Sequence, residues 1–127
     1  MTSATTQTLV ISGRLPGRNE AERAARAHWS RGARLKAEFT ELVHWHAVAG
    51  KIKPVKGLAN IAVAFYEKDG KRDADNVIGG GLKYVLDGLK AAGVIKDDSQ
   101  KYVDLTVAPI RTDKTNPRVE IKITGVI

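Results

Sequence analysis

The stretch "KRDADNVIGGGLKYVLDGLKAAGVIKDDSQKYV", residues 71–103, holds the helical pattern around which the rest of the chain arranges itself. Leu82, Val85, Leu86 and Leu89 recur at the i, i+3, i+4, i+7 spacing of one helix face. The spacing predicts a helix over residues 81–92, with Gly93 placed to end it. Four carboxylates, Asp73, Asp75, Asp97 and Asp98, stand at the two edges of this pattern. Acidic residues at such places either cap turns or hold something positive.

Working outward, "LANIAVAFYEK" precedes the helix and puts Ile61, Val63 and Phe65 on one face of a strand. "KYVDLTVAPI" follows it as another strand with Val103, Leu105 and Val107 alternating, and "RVEIKITGVI" closes the chain as a last strand. Toward the N-terminus, residues 8–15 read as a first strand, and "LPGRNEAE" as a turn in which Asn19 and Glu22 form a capping-box pair. An amphipathic helix then runs to about Val48, burying Leu35, Phe39, Leu42 and either Val43 or His46. Gly32 is its candidate interruption, leaving the basic first half loose or separately helical. Trp45 is expected to anchor this helix to the sheet, although Trp29 and Trp45 are also of a type that stacks on bases. The order β-α-β-α-β-β gives an α+β fold class: a single domain over residues 1–127, with a small mixed β-sheet packed against two main helices.

Composition narrows the function. A chain of 127 residues buries a core without staples, and the absence of cysteine excludes disulfides and thiolate metal sites. No apolar run approaches the ~20 residues of a membrane span, and "MTSATTQTLVIS" lacks the n- and h-regions of a secretory signal. The expected location is therefore cytoplasmic, with no membrane partner. Lys and Arg number 21 against 14 acids, a net charge of +7, which points to a polyanion. Residues 12–36 hold Arg14, Arg18, Arg23, Arg26, Arg31, Arg34 and Lys36 against only Glu20 and Glu22, five of the seven net charges. A solvated helix face accounts for such a run equally well. The preference for arginine favours phosphate, which a guanidinium fork grips with two hydrogen bonds.

Asp73 and Asp75 lie two residues apart just beyond a strand, so an extended backbone would point both carboxylates the same way. Two carboxylates on one face repel unless a cation sits between them or one is protonated. An all-oxygen pair suits Mg²⁺, the ion that polarises phosphodiesters in nucleases. The alternative is a turn in which Asp73, Asp75 and Asn76 cap backbone groups. Gly79, Gly80 and Gly81 before Lys83 do not make a phosphate loop, because Leu82 intervenes and Tyr84 replaces the required Ser or Thr. His44 and His46 at i, i+2 do not share a helix face and make no ligand pair.

Taken together, "RDADN", a lysine, and "LDGLKAAGVIKDDSQ" resemble the RusA family of Holliday junction resolvases, and "GRLPGRNE" resembles its N-terminal strand and turn at Pro16 and Asn19. The resemblance implies a Mg²⁺-dependent, homodimeric endonuclease, bacterial or encoded by a phage or prophage, that makes paired nicks in four-way DNA junctions during recombination and repair. It implies Asp73, Asp75 and Asp98 as catalytic metal ligands, Asp97 as an acidic neighbour and Lys83 as the catalytic lysine. In the usual family spacing that lysine falls at Gly79, so the match at Lys83 takes residues 77–80 as an insertion. DNA contacts are expected from Arg14, Arg18, Asn19, Arg23, Arg26, Arg31, Arg34, Lys36, Lys71 and Arg72.

One geometric problem accompanies the resemblance. A helix over residues 81–92 travels about 18 Å, and a full crossover would leave Asp98 at the sheet end far from Asp75. A joint site then needs an oblique helix, a returning loop, or a carboxylate donated across a dimer interface. The readings from other classes are a non-catalytic DNA-binding module and a small nucleotide phosphohydrolase.

Overall fold

The computed structural model describes residues 4–127. In chain order the elements are β1 (Thr5–Ser12), α1 (Arg18–Ala27), α2 (Trp29–Ala49), β2 (Lys56–Glu67), α3 (Ala74–Ala91), β3 (Val103–Val107), β4 (Arg111–Thr112) and β5 (Arg118–Val126). The sheet runs β1-β5-β2-β3, and β4 pairs with β2 beyond the end of β3. Strand β5 is antiparallel to both β1 and β2, whereas β3 and β4 are parallel to β2. The fold class is α+β with a mixed sheet, as the alternation of strand and helix patterns predicts.

The period of two in β2 and β5 explains the layering. Ala59, Ile61, Val63 and Phe65 are buried, as are Val119, Ile121 and Ile123 on the neighbouring strand and Leu9 and Ile11 on β1. That face is covered by helices, which contribute Val43 and Ala47 from α2 and Val77, Tyr84, Val85 and Leu89 from α3. Burying each large side chain of this set contributes about 1.5–3 kcal/mol. The opposite face stays open: Val10 and Leu58 remain nearly half exposed.

The single long helix expected over the basic segment is two helices. The break falls at His28 and not at Gly32. His28 takes an extended backbone, ends α1, and accepts the Ser30 N–H on its own Nδ1 at 3.2 Å to start α2. Gly32 instead lies where a Cβ would meet the Ala25 backbone at 2.9 Å, so it lets the two helices fold onto each other. Trp45 is not the sheet anchor: it is 59% exposed and stacks on His44, while Val43 and Ala47 face the core. Val103 of β3 is buried and Val107 half-buried, whereas Leu105 between them on the same face is 38% exposed at this edge of the sheet.

The larger correction concerns α3. It begins at Ala74, seven residues before the predicted start, and the three glycines lie inside it. Isolated helices disfavour glycine by about 1 kcal/mol per residue, but here the missing side chains are what permits packing. A Cβ on Gly80 would meet the Pro16 carbonyl oxygen at 2.4 Å and Gly17 C at 2.5 Å. A Cβ on Gly81 would strike Phe65, and one on Gly88 would strike Val43. The turn 13–17 thus rests directly on the α3 backbone. Gly80→Ala is expected to lower stability by about 1–3 kcal/mol through overpacking against rigid backbone, measured by chemical denaturation. At the other end the prediction holds: Gly93 takes φ +75, and its N–H and that of Val94 bond to Lys90 O and Leu89 O.

Candidate active site

The N-terminal turn of α3 presents the first two predicted carboxylates. Asp73 is the N-cap residue, with φ −67 and ψ 148, yet its side chain makes no capping hydrogen bond. An N-cap aspartate ordinarily accepts from the N2 or N3 amide, so these oxygens are left uncommitted. Asp75 sits within the first turn, and its side chain is 78% exposed, with Arg18 Nη2 4.0 Å from Oδ2. The extended backbone that the spacing suggests therefore ends at Asp73, and Asp75 is already helical. The pair stands at a helix start, where the macrodipole favours negative charge.

Asn76 does not cap its own helix. It is 9% exposed, and its Oδ1 accepts the Asn19 N–H at 2.7 Å. Gly17 is the N-cap of α1, in place of the expected Asn19, and a Cβ there would fall 2.6 Å from that same oxygen. The amide of α3 thus supplies to α1 the acceptor that an N-cap side chain would otherwise give. Glu20, and not Glu22, is the acidic partner of the cap, with Oε1 3.4 Å from Gly17 N.

Beneath the turn lies a clamp that sequence reading did not find. Glu67, 5% exposed at the end of β2, accepts Arg72 Nε at 2.8 Å and Nη2 at 3.0 Å through its two oxygens. Arg72 Nη1 also donates to Glu20 Oε1 at 2.9 Å and Leu15 O at 3.2 Å. The expected DNA contact Arg72 is thus a half-buried strut joining β2, the turn after β1 and α1, just before Asp73. The strand alternation contained the signal, since Glu67 continues the inward series Ile61, Val63, Phe65.

Arg14, Asn19, Arg23 and Lys71 share with Asp73 and Asn76 an open cleft of about 400 Å³. Arg31 and Arg34 line an adjoining groove with Glu20 and Glu38. Arg18, Lys36 and Lys83 line a third on the other side of α1. Arg26 is exposed in the last turn of α1. Of these cations, Arg14, Arg23 and Lys71 share the cleft at the start of α3, and Arg18 lies beside Asp75; Arg31, Arg34 and Lys36 line grooves farther along α1 and α2.

The remaining predicted residues lie elsewhere. Lys83 is 57% exposed and pairs with Asp87 at 3.4 Å. Asp97 pairs with Lys90 at 3.2 Å. The Asp98 amide, and then Lys90, hold the Asp97 carboxyl below its ordinary range. Asp98 is exposed in the loop after α3. The 18 residues of α3 span about 27 Å, and β3 begins opposite Ala59, near the start of β2. Asp98 thus lies at the sheet end opposite Asp73 and Asp75. Among the described residues, no three His, Cys, Asp or Glu side chains gather closely enough to hold a metal.

Comparison with known families bears on what this surface does. The model of the family described as endodeoxyribonuclease RusA matches residues 18–124, most of the chain. The chain belongs to the RusA endodeoxyribonuclease family. No curated protein matches the sequence. The RusA match spans both helices of the basic segment, the Asp73–Asn76 turn and the Asp98 loop. RusA enzymes act on DNA junctions and are metal-dependent nucleases. No helix of the described residues is long and apolar enough to cross a membrane. For a RusA nuclease the donors are of the type a hard cation takes: two all-oxygen carboxylates, Asp73 without a capping bond beside an open cleft and Asp75 exposed with Arg18 at 4.0 Å.

Proposed function

We propose that the chain is a Mg²⁺-dependent, structure-selective endonuclease that resolves four-way DNA junctions by paired nicks, in recombination and repair, in a bacterial cytoplasm or on behalf of a phage. The whole chain acts as one nuclease domain, and two copies act together. The observation that carries this reading is the pair Asp73 and Asp75 at the start of α3, with Asp73 free of capping bonds and Arg18 4.0 Å from Asp75, in a chain of the RusA family.

Asp73 and Asp75 would hold the ion, and Asp98 would complete its ligands. Within one chain α3, about 27 Å long, separates Asp98 from the pair, so the third carboxylate would come from a second copy. An antiparallel pair of α3 helices about a two-fold axis brings each helix start beside the other's end, and twice over. Bound there, Mg²⁺ supplies Lewis-acid polarisation of the phosphodiester and an activated water. The protein's own residues do the rest. Arg14, Arg23 and Lys71 draw backbone phosphates into the cleft, while Arg26, Arg31, Arg34 and Lys36 extend the track along α1 and α2. Lys83, two turns beyond Asp75, meets a phosphate farther along the strand. Asn19 and Asn76 fix α1 against α3 and so keep the carboxylates and the basic track in register.

The test is cleavage of a synthetic four-way junction in Mg²⁺, beside a linear duplex of the same sequence. Paired nicks in the junction, with the duplex left uncut, are expected. Binding of both without cutting would instead favour a DNA-binding module.

A further inference from the structure

Four of the cations near the carboxylates already have partners. Arg72 is held by Glu67 and Glu20. Arg14 turns toward Glu67 at 3.7 Å. Lys83 is drawn to Asp87, one turn farther along α3. Lys90 pairs with Asp97 at the opposite end of the helix. Among the described residues, Arg18 alone brings a cation within 4.0 Å of Asp73 or Asp75.

Its position depends on a residue of another element. Arg18 opens α1, and its side chain lies across the α3 surface at Gly79. A Cβ on Gly79 would be 3.6 Å from Arg18 Cδ and 3.8 Å from Arg18 Cβ, ordinary contact distances. The arginine stem therefore lies over the bare helix surface that the glycine leaves. Glu22, one turn on, steadies the guanidinium from behind, with Oε1 3.8 Å from Nε. The Asn76–Asn19 hydrogen bond fixes the start of α1 that carries Arg18. The side chain remains 58% exposed, so its donors face solvent where DNA would lie.

We propose that Arg18 is the catalytic cation of the site: its guanidinium grips the non-bridging oxygens of the scissile phosphate beside Asp75. A planar fork matches two phosphate oxygens, and charge accumulates on them as the phosphodiester is attacked. A fixed donor aimed at that charge acts on the rate more than on ground-state binding. Lys83 stands about 12 Å beyond Asp75 along the helix axis, and its ammonium is paired with Asp87. The proposal rests on the nuclease reading above.

The experiment measures single-turnover cutting of a saturating four-way junction in Mg²⁺, with junction Kd measured in parallel. Arg18→Ala is expected to slow cutting by about a hundred-fold or more, while Kd rises less than about five-fold. Arg18→Gln, which keeps the stem, carries the same expectation and guards against a folding defect. Arg18→Lys should recover part of the rate. The double variant Arg18→Ala with Gly79→Lys should recover at least about ten-fold, since position 79 lies under the removed stem. A wild-type rate in Arg18→Ala and Arg18→Gln, or a loss wholly accounted for by Kd, would overturn the proposal. So would failure of both lysine variants to recover any rate. If the wild-type chain does not cut the junction, the nuclease reading itself falls; if it cuts and the Arg18 variants cut equally, Arg18 alone is removed.

Discussion

Asp75→Asn is expected to reduce junction cutting on the order of a thousand-fold, with junction binding unchanged or tighter. The amide keeps the shape of the carboxylate but loses the charge that a hard divalent ion requires. Little else changes, because the side chain is 78% exposed and its one ionic contact is Arg18 at 4.0 Å. Folding stability should therefore stay within about 0.5 kcal/mol of wild type. Removing a negative charge beside the phosphate track favours binding at a given salt concentration. Single-turnover cleavage and gel-shift affinity on the same junction check both halves. Equal cutting by the variant would take Asp75 out of the metal site.

Glu67→Ala is expected to be the most damaging single change to the fold among the polar residues. It removes both acceptors from Arg72, whose side chain is only 13% exposed and which approaches Glu67 at 2.8 Å. Breaking a buried ion pair from one side costs about 3–5 kcal/mol, because the remaining charge is left uncompensated. For a chain of this size that corresponds to a fall in Tm of about 10 °C or more. The loss also has a local reading. Arg72 ties β2 to Leu15 and Glu20, so freeing it loosens the turn that leads into Asp73. Thermal unfolding followed by circular dichroism measures the effect, and a shift of only a degree or two would contradict the clamp.

Sequence patterns were most informative where one period governed a buried face. The series Ile61, Val63, Phe65 on β2 and the face Val85, Leu89 on α3 are buried as their spacing requires. The Gly93 stop is equally local, since it depends only on a positive φ after the last turn. Features set by tertiary contact were hidden. Three consecutive glycines weaken a helix in isolation, yet at Gly80 and Gly81 they admit the backbone of residues 16–18 and the Phe65 ring. Spacing alone therefore starts α3 too late and puts Asp73 and Asp75 on a strand-like segment, whereas they open the helix. Arg72 looked like one more cation until the inward-facing Glu67 gave it a partner. Asp98 raised a different difficulty: its distance from Asp75 follows from the length of α3, and that length was obscured by the same glycines.

The claim that two chains share each metal site is tested most directly by mixing two inactive variants, Asp75→Asn and Asp98→Asn, after subunit exchange. In a mixed dimer one site carries both defects, while the other combines an intact Asp73–Asp75 pair with an intact partner Asp98. The account predicts that the mixture regains cutting, confined to one strand per binding event, although neither variant cuts alone. A mixture as inactive as its components, with exchange verified, would contradict it.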